Sequence, residues 1–179
     1  MGERSKSRLV VKVGTNTLTG GEDHLARPAM AGVVRQIARL VGEGHPGALG
    51  SSGALGAGRP ALGVARNGQD IPFKQVLAAV GQTRLMQMWD ELFSREDLIV
   101  AQTLLTRADL ADRQGYLNSR NTLLALLERR VVPIISSMGR IGVTINCAIV
   151  PISFSRTMAS AVSISVTIMM MLAITPGTK

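Results

Sequence analysis

Apolar residues recur along residues 8–135 with two alternating periods. Arg8-Leu-Val-Val-Lys-Val13 is a short apolar run that ends at Gly14, the pattern of a buried strand. From Pro28 the period lengthens, and Met30, Val33, Val34, Ile37, Leu40 and Val41 share one helical face. Pro28 suits the first turn of that helix, and Gly42 and Gly44 end it. A weak strand is expected at 47–51. A second helix is expected near 73–95, with Val76, Leu77, Val80, Leu85, Met88, Trp89 and Leu92 inward. Leu98-Ile-Val-Ala-Gln-Thr-Leu-Leu105 reads as another strand. A helix at about 115–129 carries Leu117, Leu123, Leu124 and Leu127, and Val131-Val-Pro-Ile-Ile135 closes the series.

Strands alternating with helices of this length imply an α/β class, with right-handed crossovers and a mainly parallel sheet. Ligands of such sheets bind at the carboxyl ends of the strands. The turns after the first two strands, Gly14-Thr15 and Ser51–Gly58, are therefore expected on one edge. The second of them is unusual in composition. Gly47-Ala-Leu-Gly-Ser-Ser-Gly-Ala-Leu-Gly-Ala-Gly58 holds five glycines in twelve residues. Glycine supplies positive φ or close approach to a ligand, and such a loop can aim several N–H groups at one anion. A flexible loop without a ligand has the same composition.

Lys12 is the second clue. It stands one residue from the end of an apolar strand, where an ammonium is costly unless an anion pairs with it or it snorkels to water. Lys12 and the glycine loop together would offer one fixed positive charge and several N–H donors, which suits phosphoryl transfer. Asp109 and Asp112, with Arg107 and Arg113, lie between a strand and a helix, where capping is the default role. Asn118 and Asn121, one turn apart, are polar contacts or helix-surface residues. Ser52 has no His/Asp partner at a recognisable spacing and does not sit in Gly-x-Ser-x-Gly, so a hydrolase triad is not expected. No Gly-x-x-x-x-Gly-Lys-Ser/Thr loop is present, which removes P-loop nucleotide binding.

Composition narrows the classes further. Cys147 is the single cysteine, so neither a disulfide framework nor a thiolate metal site is available, and His24 and His45 are far apart. The polar opening Met-Gly-Glu-Arg-Ser-Lys-Ser-Arg runs straight into a strand, unlike a secretory signal, and a reduced cytoplasmic setting is expected. The net charge of +8 invites nucleic acid, but its distribution does not. All 12 acidic residues precede Arg129, while five scattered basic residues follow from it with one aromatic, Phe154. Single-stranded binders interleave aromatics with basic residues.

Several segments, in order and at matching spacing, resemble the opening of the glutamate 5-kinase family, which has the amino acid kinase fold. They are Val10-Val-Lys-Val-Gly-Thr15 with Leu18-Thr-Gly-Gly21, Ser51-Ser-Gly-Ala54 with Ala57-Gly-Arg59, and Lys74-Gln-Val-Leu-Ala-Ala-Val-Gly-Gln82. Gln102-Thr-Leu-Leu-Thr-Arg-Ala-Asp-Leu110, Tyr116-Leu-Asn118 and Val131-Val-Pro-Ile-Ile135 continue the match. The resemblance implies a three-layer αβα sandwich and ATP-dependent, Mg²⁺-assisted phosphorylation of the γ-carboxylate of L-glutamate, on the route to proline. It implies that Lys12, with Gly14 and Thr15, contacts the ATP phosphates, Lys12 also stabilising the transferring group. Ser52, with the Gly53-Ala54 backbone, would hold glutamate. It implies a cytoplasmic homo-oligomer, with residues 1–135 as the N-terminal, glutamate-binding part of the kinase domain.

The chain departs from the family pattern after Ile135. An Asn-Glu-Asn-Asp segment and then a Gly-Asp-Asn-Asp segment are expected, and Ser136-Ser-Met-Gly139 stands in place of the first. Residues 136–179, rich in Ser, Thr, Ile and Met, are expected to be a divergent apolar tail, and no PUA domain is expected in them. Thr157–Thr175 has about the length needed to span a bilayer. Three readings therefore stand: a glutamate 5-kinase, a catalytically silent fragment of one, and a membrane-tethered anion-binding module. Codons permitted for Ile164-Ser-Val-Thr-Ile168 can read Phe-Gly-Asp-Asn when shifted, which suggests a tail read out of frame. The gene's nucleotide sequence decides this: the start of the missing motif, without the final aspartate that Ile168 forbids, is expected in another frame. The absence of any such motif or nucleotide-site motif from both alternative frames removes the idea.

Overall fold

The computed structural model describes residues 8–64, 71–106, 109 and 111–136. Its strands are β1 (Leu9–Val13), β2 (Gly47–Ser51), β3 (Val100–Leu104) and β4 (Val132–Ser136). Its helices of three or more turns are α2 (Arg27–Gly42), α4 (Ile71–Ser94) and α5 (Arg113–Glu128), with shorter α1 (Thr15–Thr19) and α3 (Ala54–Leu62). The four strands are all parallel, in the order β1-β2-β4-β3. Their carboxyl ends are flush, because Val13 pairs with Ser51, Ser51 with Ser136, and Leu104 with Ser136. That register puts the turns after β1 and β2 side by side, as the alternation of elements predicts.

One face of the sheet makes the core. Val11, Leu49 and Ile134 lie in one cross-strand row, with Val13 beside them, and all four are buried. Against them pack Met30, Val33, Val34, Ile37 and Val41 of α2, one stripe at helical spacing. Helix α4 adds Leu85, Trp89, Leu92 and Phe93, with the Trp89 and Phe93 rings tilted at 45° and 6.1 Å between centroids. Each fully buried side chain of this size contributes roughly 1.5–3 kcal/mol of hydrophobic stabilisation before chain entropy is charged against it.

Two expectations about helix faces need correction. Val76, expected inward, is 49% exposed. The buried stripe of α4 runs through Leu77, Gly81, Leu85, Trp89 and Leu92, and Val76 lies about 100° off it. Leu117, expected on the apolar face of α5, is 37% exposed, and no side chain of α5 is fully buried. That helix rests against β4 with only a half-buried flank, which includes Leu123, Leu124 and Leu127.

The glycine-rich stretch differs most from its sequence reading. Its first part is strand β2, as expected at 47–51, but the supposed loop beyond is a two-residue turn at Ser52-Gly53 and helix α3. None of its glycines has positive φ; Gly20, Gly21, Gly44 and Gly63 do. Its later glycines serve close packing instead. A Cβ on Gly58 would stand 2.1 Å from the Leu77 carbonyl oxygen, and one on Gly81 1.8 Å from that of Ala54. Helices α3 and α4 thus meet backbone to backbone. Glycine is needed here for space rather than for dihedral freedom.

Among the described residues no helix is long and apolar enough to cross a membrane. The 157–175 segment and the whole 136–179 tail beyond Ser136 lie outside the described residues.

Replacing Gly81 by alanine is expected to destabilise the chain by about 3 kcal/mol or more, since backbone must move to admit the methyl group. Gly32→Ala in α2 is the contrast. The nearest atom to a Cβ there is an Arg35 guanidinium nitrogen at 4.0 Å, and a gain of about 0.5–1 kcal/mol is expected. Urea midpoints of the two variants check both signs. Equal midpoints would contradict the close approach of α3 and α4.

Candidate functional site

The carboxyl edge is assembled from strand exits. Lys12 sits on β1 with its side chain exposed, on the face opposite Leu9, Val11 and Val13. Gly50 is its cross-strand neighbour. With no side chain there, the flank of Lys12 stays open; a Cβ on Gly50 would touch the lysine Cα and Cγ at 3.8 Å. Beyond Val13, Gly14 caps the short helix α1, which starts at Thr15, where a plain turn was expected.

The two turns are tied to each other directly. The Thr15 hydroxyl donates to the Ser52 carbonyl oxygen. In return the Ser52 hydroxyl donates to the Val13 carbonyl oxygen at 3.1 Å. Lys12, Gly14, Thr15, Ser52, Gly53 and Ala54 therefore share one edge of the sheet. Ser52 is exposed, and its oxygen keeps lone pairs to accept a further hydrogen bond. Gly53 caps α3 and is buried, and a Cβ on it would come within 2.9 Å of Leu18 Cδ1. The first N–H groups of α3 have no acceptor within the helix and carry its positive dipole end, which favours an anion beside Ser52.

Behind the turns lie polar contacts that sequence reasoning missed. The Trp89 indole Nε1 donates to Ser51 Oγ at 3.1 Å, and Gln82 Nε2 donates to Ser136 Oγ at 2.8 Å. Periodicity marks Trp89 only as an apolar inward residue, and nothing local in the chain pairs it with Ser51. Arg59 is largely buried in α3. Its Nη1 stands 3.9 Å from Asp23 Oδ1, and its Nε is buried without a hydrogen-bond partner.

The acidic cluster after β3 behaves as structural caps. Asp112 is the N-cap of α5, its carboxylate accepting from the Gly115 amide at 2.7 Å. Asp109 accepts from the Thr106 hydroxyl at 2.6 Å and from the Thr106 amide at 2.8 Å. Those bonds, the hydroxyl's first, hold its carboxyl below the ordinary value. They are at full strength above the ordinary carboxylate range and are lost as the pH falls through the lowered value. Arg107 lies outside the described residues. Asn118 accepts from Gln114 Nε2 along the exposed surface of α5, at 3.0 Å. Among the described residues no cluster of His, Cys, Asp and Glu could hold a metal ion.

A cleft of about 400 Å³ opens at the opposite, amino edge of the sheet, between the ends of α2 and α5. Val41, Pro46, Leu127 and Val131 wall it, with Glu128 and Arg130. None of the candidate residues lines it; in open parallel sheets ligands bind at the carboxyl ends of the strands, the other edge.

Comparison with known proteins fits this geometry. A profile of the amino acid kinase family matches residues 7–167. The chain belongs to the amino acid kinase family. Among its curated relatives is a glutamate 5-kinase of Dehalococcoides mccartyi (strain CBDB1), 51% identical over 136 residues, covering 76% of this chain and 36% of the relative. One from Herpetosiphon aurantiacus is 52% identical over 136 residues, with 76% and 37% covered. One from Escherichia coli O1:K1 / APEC is 50% identical over 128 residues, with 72% and 35% covered. The chain spans about a third of the length of these relatives. The four-stranded parallel sheet and its helices are consistent with the amino acid kinase fold.

If Asp112 acts only as a cap, Asp112→Ala removes about 1 kcal/mol of stability and Asp112→Asn much less. Urea denaturation measures both. A loss of several kcal/mol would give Asp112 a larger role than the Gly115 amide provides.

Proposed function

We propose that this chain carries the glutamate-binding side of a glutamate 5-kinase, with residues 1–135 as the N-terminal part of the kinase domain and 136–179 as a divergent tail. One observation carries the reading: the exits of β1 and β2 are hydrogen-bonded to each other, through Thr15 to Ser52 and Ser52 to Val13, next to the exposed Lys12. A fixed cation and a helix N-terminus on one sheet edge suit two anions that must be brought together. The reaction is transfer of the γ-phosphoryl group of ATP to the γ-carboxylate of L-glutamate.

That carboxylate is ionised near pH 7, its ordinary pKa being about 4.3, so the acceptor needs no general base. The obstacle is repulsion between the acceptor and the phosphates. Lys12 offsets it, with its ammonium at the phosphates and at the transferring group. Gly14 and Thr15 line the phosphate side, where the bare glycine edge lets backbone approach. Ser52 accepts from the substrate, and the Gly53-Ala54 amides donate to a carboxylate. Mg²⁺ would neutralise phosphate charge. With no group of side chains able to hold a metal ion among the described residues, it fits as an ion carried by the phosphates rather than caged by side chains. A cytoplasmic site of action and assembly into a homo-oligomer belong to the same reading.

The purified chain is expected to bind L-glutamate by calorimetry and to release ADP from ATP in a glutamate-dependent way. Lys12→Ala is expected to lower ADP release on the order of 10²–10³-fold. Ser52→Ala is expected to weaken glutamate binding about tenfold, the equivalent of one buried hydrogen bond. ADP release that is indifferent to Lys12 overturns the phosphate assignment, and absence of glutamate binding overturns the whole reading.

A further inference from the structure

Three buried polar residues are found among the described residues: Thr19, Ser51 and Ser136. Two of them are neighbours. Ser51 and Ser136 are register partners at the last positions of β2 and β4, on the core face of the sheet. Both receive a hydrogen bond from the same helix, Ser51 from Trp89 and Ser136 from Gln82. Residues 82 and 89 are seven apart, two turns of α4, and so lie on one side of it. Helix α4 thus grips the carboxyl ends of two adjacent strands at once, from within the core.

Apolar packing alone does not require this. A buried hydroxyl without a partner is costly, and a phenylalanine against an alanine would fill similar space with no polar group to satisfy. Apolar contact is tolerant of small slides, whereas a hydrogen bond fixes distance and direction. Ser51 immediately precedes the Ser52-Gly53 turn, so whatever fixes Ser51 sets the height of that turn at the edge. Trp89 is 0% exposed, which shields the bond from water.

We propose that Trp89 and Gln82 are positioning residues for the Ser52-Gly53 turn and the adjoining end of β4. They hold the two strand exits at a fixed height for the ligand. The link to L-glutamate rests on the function proposed above; the link to the turn does not. Lys12, on the opposite face of the sheet, is held by neither residue.

Trp89→Phe keeps an aromatic ring and removes the N–H donor. Ser51→Ala removes the acceptor with a smaller change of volume and serves if the first variant folds poorly. Amide exchange followed by NMR at Ala57, whose N–H donates to the Gly53 carbonyl oxygen of the turn, is expected to accelerate about tenfold more than at Val11 of β1. Calorimetry is expected to show L-glutamate about tenfold weaker in both variants, and Gln82→Met is expected to act in the same direction. The Trp89→Phe/Ser51→Ala double variant is expected to be no worse than Trp89→Phe alone, because both changes delete one bond. Uniform acceleration over the whole sheet, or additive losses in the double variant, would overturn the proposal. If the unaltered chain takes up no L-glutamate, the functional reading falls, and the exchange pattern still decides the role of Trp89.

Discussion

The close approach of α3 to α4 governs much else in this molecule. At Gly58 and Gly81 the two helices touch through backbone, with no room for even a methyl group. That contact fixes where α4 lies, and α4 carries Leu85, Trp89, Leu92 and Phe93 into the core. It also carries Gln82 and Trp89 to the hydroxyls at the strand ends. The same contact holds α3, which starts directly after the Ser52-Gly53 turn. One steric constraint therefore sets both the core and the site.

The edge where the candidate residues meet is built in two layers of different chemistry. On the outside, Lys12, Thr15 and Ser52 are wholly or partly open to solvent, and the Thr15 and Ser52 hydroxyls tie the two turns together through backbone carbonyls. On the inside, Ser51 and Ser136 are sealed against α4. Outer groups that must meet a ligand cannot also be locked by packing. Inner neighbours bear that task, and the sheet register transmits it one residue outward. The reaction proposed for this edge asks for positioned charge more than for a nucleophile.

Much of the fold is legible in the chain because it follows from local periodicity. The strand at Leu9–Val13 and the helix from Arg27 stand out through their apolar spacing and their terminal Gly and Pro. Asp112 as a cap also follows from local chemistry, since a carboxylate before a helix finds free N–H groups within three residues. Val76 and Leu117 are misread because a helical apolar stripe broad enough to hold them is wider than the surface available to cover it. The glycine-rich stretch is misread for a related reason. Glycine has two uses, positive φ and close approach, and composition cannot separate them when the contacting atoms are far along the chain, as Leu77 is from Gly58 and Ala54 from Gly81.

Sequence alone determined the alternation of strand and helix, the parallel sheet, and the presence of Lys12 and Ser52 at strand exits. These depend on neighbours along the chain, whose spacing is written in it. Only the tertiary structure decided that Thr15 and Ser52 are hydrogen-bonded, and that Trp89 and Gln82 reach Ser51 and Ser136. It also turned the supposed loop after β2 into a short turn and a packed helix. Those facts join residues 37 to 54 positions apart. Their partners are selected by the register of the sheet and by how near two helix backbones can come, and neither is a property of any short stretch of sequence.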